Sequence, residues 1–406
     1  MVQHSTDPDG HTTEAIVRGS NQTGMRAYNE RLVLTILRAA GPESKAELAR
    51  MTGLSAQTVS VIMRKLEGEG LIERCAPLRG KVGQPSVPMR LAPRGAISFG
   101  LKVGRRSVEM VMIDFLGQIL GRVHRIHAYP TPDATVAFAE DALQRLLASL
   151  DPPLRARAAG LGIAMPFNLW SWARAIGVPE DAMASWRDSD VRSEIAARCD
   201  LPVFLQNDAS SACGAELIFG SGRKPRDFLY FYIGFFVGGG VVLNGSLYTG
   251  PTGNAGAVGS MLVPDGTGGF AQLIDVASLS GLEKAMLRAG MSTNALWQSP
   301  DGWEADNPVV SRWLDDAAVG LAHATVAAAS VIDFDTALID GWLPIAVRAR
   351  LIERAQEVLA RLDTSGLAPP ELRAGTLGPE ARALGAASLP LSERFLVDQN
   401  ALLKAS

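Results

Sequence analysis

The sequence SKAELARMTGLSAQTVSVIMRKLEGEG, from Ser44 to Gly70, has the spacing of two short helices joined by a tight turn at Gly53-Leu54. Ser55 stands where the second helix should begin, and its hydroxyl can accept a hydrogen bond from a free amide of the first turn. Four apolar residues then recur at helical spacing: Val59, Ile62, Met63 and Leu66. Because such a stripe marks a buried face, the pattern predicts a helix-turn-helix.

The opposite face of the second helix repeats this spacing with mostly polar residues: Gln57, Ser60, Val61 and Arg64. Amide, hydroxyl and methyl groups match what base edges present in a major groove. We therefore expect this helix to read DNA, with Arg64 and Lys65 near phosphate. Any small helical bundle can show such stripes, so the flanking sequence has to decide between a DNA-binding motif and a plain bundle.

The flanking sequence favours a winged helix-turn-helix over residues 25–92. A first helix is predicted over Asn29 to Ala40, with these residues facing inward: Leu32, Val33, Ile36 and Leu37. Two short strands, Leu71 to Arg74 and Val87 to Leu91, enclose a basic, Gly- and Pro-rich loop that would form the wing. DNA contacts are expected from Ser44, Lys45, Ser55, Gln57, Thr58, Ser60, Arg64, Lys81, Gly83 and Gln84.

Charge and composition agree with this division of the chain. Residues 25–92 hold eleven Lys and Arg against six Asp and Glu, although the net charge of the whole chain is −3. Positive charge confined to one module suits phosphate contact. At 406 residues, of which 47% are hydrophobic and 20% charged, the chain predicts a globular protein of two or three domains.

Several features point to the cytoplasm. Residues 1–24 are polar and turn-rich without a charged-then-apolar leader, and they predict a flexible arm. Cys75, Cys199 and Cys213 stand in unrelated contexts, which predicts reduced, structural thiols. The run FLYFYIGFFVGGGVVL, Phe228 to Leu243, is too short and too rich in glycine for a membrane-spanning helix.

Beyond a short linker at Ala92 to Gly95, one order of elements occurs twice: strand, glycine turn, strand, tight turn, strand. The first copy is Ile97 to Val103, Gly104-Arg105-Arg106, Val108 to Asp114, Leu116-Gly117 and Ile119 to Ile126. The second is Phe228 to Phe235, Val237-Gly238-Gly239, Gly240 to Leu243, Asn244-Gly245 and Ser246 to Thr249. The repetition predicts a duplicated two-lobed α/β domain over residues 97–406.

Helices and buried strands are predicted to fill the gaps in this domain. The helices are Thr131 to Leu150, Asp190 to Cys199, Ser210 to Phe219, Phe270 to Arg288, Val310 to Val331 and Ile345 to Leu362. Short apolar runs predict parallel strands at Ala158 to Ala164, Val203 to Gln206 and Ala337 to Ile339.

A winged helix-turn-helix followed by these motifs resembles the ROK family of bacterial repressors and sugar kinases, over about Asn29 to Leu389. The motifs are GIAMPFN, LPVFLQNDASSACGAE, GPTGNAGAVGSM and LGPEARALGAA. The resemblance implies a duplicated actin-like, or ribonuclease-H-like, sugar-kinase fold. It also implies that Asn207 and Asp208 bind sugar hydroxyls, although both are equally suited to cap the helix that follows.

Several residues that carry the family's chemistry are replaced in this chain. Kinases of the family have an Asp-x-Gly-x-Thr loop, and in this chain Lys102 holds the place of the acid. The second loop of these kinases resembles Gly-Thr-Gly, whereas this chain has Gly234-Phe235-Phe236. Tight nucleotide binding and catalytic residues are therefore not expected. Lys102, Arg105 and Arg106 can attract an anion, but such residues more commonly form a solvated turn.

The family's Glu-x-Gly-His, which grips sugar and ligates zinc, reads Ala257-Val258-Gly259-Ser260, and no cysteine cluster follows. Neither a metal nor another cofactor is expected. Effector contacts are expected from Asn207, Asp208, Asn254, Gly256 and Ser260.

These features favour a DNA-binding regulator, a repressor of carbohydrate uptake or catabolism genes that is controlled by a sugar or sugar-like effector. Its partners would be a double-stranded DNA operator and further copies of itself, in a homodimer or homotetramer. A regulator that is ligand-independent or controlled by a protein partner is the alternative. An active sugar kinase is disfavoured by Lys102 and by Phe235-Phe236.

Overall fold

The computed structural model describes residues 22–77, 87–222 and 225–397. Its N-terminal part contains α1 (Gln22–Ala40), α2 (Lys45–Thr52), α3 (Ala56–Gly68) and the antiparallel strands β1 (Ile72–Arg74) and β2 (Met89–Leu91). The predicted wing residues Lys81, Gly83 and Gln84 lie outside the described residues, as does most of the predicted arm. Residues 22–24, also assigned to the arm, belong to α1.

The helix-turn-helix forms as its caps and stripe predict. The amide of Thr58 donates to Ser55 Oγ at 3.1 Å, and α2 ends at Gly53, whose φ of 70° suits glycine. All four residues of the predicted stripe on α3 are buried. On α1 the inward face is shifted, because Val33, Leu34 and Leu37 are buried whereas Leu32 and Ile36 are only half-buried.

The rest of the chain forms two lobes, each with a five-stranded sheet. The first lobe contains β3 (Ile97–Val103), β4 (Ser107–Ile113), β5 (Ile119–Ile126), α4 (Pro132–Ala148), α5 (Pro152–Arg155), β6 (Ala158–Ala164), α6 (Ala173–Ile176), α7 (Val191–Ala196), β7 (Val203–Gln206) and α8 (Asp208–Phe219). Its strand order is β5-β4-β3-β6-β7. The first three strands are antiparallel, and β6 and β7 add in parallel.

The second lobe repeats this plan. It contains β8 (Phe228–Ile233), β9 (Val237–Leu243), β10 (Ser246–Tyr248), β11 (Leu262–Pro264), β12 (Phe270–Gln272), α9 (Leu273–Ala277), α10 (Leu279–Arg288), α11 (Asn294–Gln298), α12 (Pro308–Ala329), β13 (Thr336–Gly341), α13 (Ile345–Leu359) and β14 (Glu371–Ala374). The last helix, α14 (Ala381–Phe395), returns to the first lobe, where it packs on β3, β4 and β6. Its main sheet has the order β10-β9-β8-β13-β14. The predicted duplication is therefore confirmed.

The predicted turn at Val237-Gly238-Gly239 is wrong, because these residues lie inside β9 and pair with Ile233, Tyr232 and Phe231. The turn is instead Gly234-Phe235-Phe236. A Cβ at Gly238 would come within 2.7 Å of Ala209 Cβ, so this glycine lets α8 pack closely on the sheet. The run from Phe228 to Leu243 is thus a β-hairpin. Among the described residues, no helix is both long and apolar enough to cross a membrane.

The predicted helix from Phe270 to Arg288 is also wrong, because it is divided into β12, α9 and α10. Ser278 is extended between the two helices, where its Oγ accepts the amide of Val237 at 2.8 Å. The other predicted helices are confirmed with ends shifted by a few residues. The three predicted parallel strands are confirmed as parts of β6, β7 and β13, whereas β14 was not predicted.

Helices α8 and α14 pack directly against each other between the lobes. Gly385 of α14 makes this packing possible, since a Cβ there would lie 2.2 Å from Ser211 O of α8. In the same way Gly162 of β6 lets α14 lie close on the first sheet, because a Cβ there would lie 1.9 Å from Ala386 O. The core of the N-terminal domain continues into the first lobe, because Leu34 of α1 and Phe395 of α14 belong to the same buried cluster.

Candidate ligand cavity and nucleic-acid interface

The outward face of α3 is open to a partner. Gln57, Val61 and Arg64 are exposed, and Ser60 is half-buried. Val61 is 45% exposed, so its methyl groups are accessible on the same face as Gln57 and Arg64. Lys45 is exposed at the start of α2.

Other residues predicted to contact DNA also form hydrogen bonds that stabilise the helices. Ser44 and Ser55 accept backbone amides as the N-caps of α2 and α3, and the Thr58 hydroxyl lies 2.8 Å from Ser55 Oγ. Lys65, which we expect near phosphate, is ion-paired with its Nζ 2.6 Å from Glu30 Oε2, and its contact with phosphate stays a prediction. Glu30 comes from α1, so the pairing depended on a contact between helices that α3 alone does not reveal.

A cavity of about 810 Å³ lies between the lobes, and residues of both line it. The five residues predicted to contact the effector are all on its wall: Asn207, Asp208, Asn254, Gly256 and Ser260. At Gly256, φ is +81° and a Cβ would lie 2.6 Å from Gly240 Cα, so the loop passes the sheet at a distance that only glycine allows. The structure thus brings the predicted set together, and ligand binding by these residues stays a prediction.

The sequence allowed Asn207 and Asp208 to be either helix caps or ligand contacts, and the structure shows that only Asn207 is the cap of α8. Asn207 is the cap, since its Oδ1 accepts the amides of Ala209 at 3.0 Å and Ser210 at 3.3 Å. Asp208 is the first residue of α8 and does not cap it. Its Oδ2 accepts from Arg382 Nη1 at 3.1 Å, and its side chain is 14% exposed at the cavity.

The predicted solvated turn is wrong for Lys102, which is buried, and for Arg105, which is mostly buried, whereas Arg106 is exposed. Lys102 is buried with its Nζ 3.3 Å from Glu109 Oε2, and burial lowers the pKa of Lys102, with the charge of Arg382 lowering it further. Burial alone would raise the pKa of Glu109, but Lys102 and the ion-paired Arg122 lower it overall, so this carboxyl is charged at neutral pH.

The two arginines of this turn contact the second lobe. The Arg105 guanidinium lies 4.1 Å from the centroid of the Phe235 ring, a cation–π contact. Arg106 Nη2 lies 2.7 Å from Glu283 Oε1. The equivalent turns of the two lobes, one cationic and one aromatic, therefore face each other across the cleft.

Aromatic rings form one wall of the cavity. The ring centroids of Phe236 and Trp172 are 5.1 Å apart, and those of Phe235 and Phe236 are 4.7 Å apart. Two benzyl groups thus occupy the turn where a phosphate loop would expose backbone amides.

Sequence reasoning missed Glu109 and Arg382 as parts of this site. A signal existed for Glu109, because a lone charge in each of two adjacent apolar strands indicates a cross-strand pair, and Lys102 and Glu109 are register partners in β3 and β4. The described cysteines, Cys75, Cys199 and Cys213, are free as predicted. Within the described part of the chain, no group of three or more His, Cys, Asp or Glu is placed to hold a metal ion.

The described chain thus joins a winged helix-turn-helix to a duplicated α/β domain with a cavity between its lobes. The sequence model of the ROK family matches residues 98–392, and that of winged helix-turn-helix DNA-binding domains matches residues 26–73. The chain belongs to the ROK family.

Relatives of this chain include both regulators and kinases. A xylose repressor of Bacillus spizizenii is 27% identical over 244 residues, which are 60% of this chain and 62% of the repressor. The chain therefore spans about 62% of that relative's length.

Among solved structures, a ROK family transcriptional regulator described as a homolog of the E. coli MLC protein has a TM-score of 0.65 and 19% identity, covering 94% of this chain and 98% of the other. A ROK family glucokinase from Streptomyces griseus, in complex with glucose and AMPPNP, has a TM-score of 0.56 and 21% identity, covering 72% and 99%. At these identities the two structures show the fold alone, and they confirm the predicted fold class.

Proposed function

We propose that this chain is a DNA-binding transcriptional regulator, a repressor of carbohydrate uptake or catabolism genes, controlled by a sugar or sugar-derived effector in the cavity between the lobes. One observation carries the proposal: a capped helix with an exposed reading face shares one continuous core with the domain that contains the cavity. The relative named a xylose repressor supports the choice of carbohydrate genes.

Phosphotransfer is not part of the proposed function. A kinase needs a carboxylate to work with the metal ion and bare backbone to reach the phosphates. Lys102 holds the place of that acid, and its positive charge would repel the metal. In the second loop, Phe235 and Phe236 place two aromatic side chains where a kinase needs exposed backbone amides.

Two helices are suited to carry a signal from the cavity to the DNA-binding domain. Helix α8 begins at Asp208 and ends at Phe219, whose ring lies 5.5 Å from the Arg38 guanidinium on α1. Helix α14 carries Arg382 at its start and Phe395 at its end, and Phe395 packs against Phe115 at 5.1 Å. An effector that prefers one placement of the Asp208–Arg382 pair would bias how α1 is held.

An operator with two half-sites needs two copies of α3, so we propose a homodimer or a homotetramer. A double-stranded DNA target also makes the cytoplasm the expected location. None of the proposed partners is a membrane.

The test is selection of genomic fragments by the purified full chain, followed by gel-shift titration of the recovered DNA with and without sugars and ATP. We expect specific fragments beside sugar-uptake or catabolic genes, and a sugar that changes DNA affinity. Specific DNA binding that no sugar alters would favour the ligand-independent or partner-controlled regulator. ATP-dependent phosphorylation of a sugar would contradict the proposal.

A further inference from the structure

Cationic side chains outnumber carboxylates on the wall of the cavity. Its cations are Lys102, Arg105, Arg106, Arg122 and Arg382, and its carboxylates are Glu109 and Asp208. Two more carboxylates, Glu283 and Glu380, do not line the cavity but pair with Arg106 and Arg122. Even with these four acids counted, one positive charge remains among these side chains.

The least compensated cation is Arg105. Glu283 already accepts from Arg106 Nη2 and from Trp297 Nε1, each at 2.7 Å, whereas Arg105 Nη1 is 3.7 Å away. The nearest acceptor of Arg105 Nη2 is Ile176 O at 3.5 Å. Its Nε and Nη1 are buried without a hydrogen-bond partner among the described residues. Donors left in this state are costly unless a ligand supplies acceptors.

Two further donors of the wall, Arg382 Nε and the hydroxyl of Tyr232, have no short hydrogen bond within the described part of the chain. They are neighbours, since the Arg382 guanidinium lies 4.8 Å from the centroid of the Tyr232 ring. Burial raises the pKa of the Tyr232 hydroxyl and the charge of Arg382 lowers it by less, so the hydroxyl keeps its proton at neutral pH. A wall with such donors matches a ligand rich in acceptors.

Lys102 lies at the base of the same turn. Its Cε is 3.6 Å from the position that a Cβ would take at Gly104, the residue before Arg105. The donors of Arg105 lie just beneath the surface of the wall, so the guanidinium must turn toward the cavity to meet a ligand. Its hydrogen-bond and ion-pair contacts are long, at 3.5 and 3.7 Å, so this movement gives up mainly the cation–π contact with Phe235.

The remaining wall suits a polyol. Asn207, Asn254 and Ser260 offer amide and hydroxyl groups, and Phe236 and Trp172 offer apolar faces. We infer that the effector is an anionic polyol, a sugar bearing a carboxylate or a phosphate group, whose charged group is bound by Arg105 and Lys102. This inference rests on the proposed function, because it specifies the ligand of the same cavity.

The test is calorimetric titration of the full chain, at constant ionic strength, with matched pairs of compounds. D-glucuronate and D-glucose 6-phosphate are each compared with D-glucose, and D-xylonate is compared with xylitol. Inorganic phosphate controls for binding of an anion without a polyol. We expect the anionic member of at least one pair to bind roughly tenfold tighter or more, equivalent to about 1.4 kcal/mol. The carboxylate and phosphate pairs distinguish the two sources of charge.

Two variants connect the preference to these residues. Arg105→Gln should remove most of the preference for the anionic compound. Lys102→Met should do the same, since it keeps an unbranched side chain of similar length and leaves Glu109 paired with Arg122. Arg361→Gln is the matched control, since Arg361 lies just after the end of α13 with its side chain 75% exposed, and its ion pair among the described residues is with Glu357. Thermal denaturation of each variant verifies folding.

Three outcomes would overturn the inference: equal or tighter binding of the neutral member in every pair, no binding of any anionic sugar at millimolar concentration, or a preference that survives in a folded Arg105→Gln variant. Titration of recovered genomic DNA with the same preparation separates this failure from failure of the proposed function. Specific DNA binding without an anion preference rejects only the inference. Absence of specific DNA binding rejects the regulator.

Discussion

Helices α3 and α8 begin in the same way but lie in opposite surroundings. Each follows a side-chain cap, Ser55 for α3 and Asn207 for α8. Helix α3 buries one stripe and leaves the other face open, whereas α8 is buried continuously from Ala209 to Glu216 between β9 and α14. An open face can read a partner, and an enclosed helix can move only together with its neighbours. The comparison separates residues that set DNA affinity from residues that set stability and ligand response.

The largest effect is expected when the same substitution, glycine to alanine, is made in the enclosed contact between α8 and α14 and in the exposed helix α3. A Cβ at Gly385 of α14 would lie 2.2 Å from the backbone oxygen of Ser211 on α8, whereas a Cβ at Gly68 of α3 meets nothing within 4 Å. Gly385→Ala should destabilise the protein by about 2 to 3 kcal/mol through overpacking. Gly68→Ala should stabilise it by about 0.5 to 1 kcal/mol through helix propensity. Urea unfolding measures both, and effects of the same sign would remove the proposed contrast.

The next effect concerns the open face of α3. Gln57→Ala should relax discrimination at one base pair, at a cost of about 1 to 3 kcal/mol on the specific operator. Arg64→Ala should weaken all duplexes alike and reduce the salt slope by about one. Gel shifts on specific and scrambled duplexes at two salt concentrations separate the two effects. Unchanged DNA binding by both folded variants would show that α3 is not the reading helix.

A smaller effect is expected at the start of α8. Asp208→Asn keeps the size of the side chain and leaves the cap, which is Asn207, untouched. It weakens the bond to Arg382 and replaces a carboxylate acceptor for a ligand hydroxyl. Effector response should fall roughly tenfold, about 1.4 kcal/mol, while DNA affinity without effector stays constant. An unaltered dose-response would make Asp208 a structural partner of Arg382 and nothing more.

Features that depend on neighbouring residues, as in α3, could be predicted from sequence, whereas features that depend on distant residues, as around α8, could not. The caps and stripe of α3 depend on residues within a few positions, so its bounds and buried face were predictable. The glycines at 238 and 239 resembled a turn, but each is needed for a close approach that adjacent sequence does not encode: Gly238 to Ala209 of α8, and Gly239 to Val258. The Asp208–Arg382 pair joins residues 174 positions apart, so only the fold brings them together.

The smallest expected effect lies where the two regions meet, at Arg38. Its guanidinium stands 5.0 Å from the Phe115 ring and 5.5 Å from the Phe219 ring, and it donates to Phe115 O, so α1 is attached at once to the first lobe and to the end of α8. Burial lowers the pKa of Arg38 to about 10, which leaves it charged at neutral pH.

Arg38→Lys keeps this charge but loses the flat guanidinium that packs between two rings. DNA affinity and effector affinity, measured separately, should change little. The coupling between them should fall by less than about 1 kcal/mol, at the lower end of the usual range. Operator titrations with and without effector measure this coupling, and effector titrations with and without operator must return the same factor, because binding linkage is reciprocal. Arg145→Lys on the exposed side of α4 is the control. Equal coupling in Arg38→Lys and wild type would mean that the end of α8 is not part of the connection to α1.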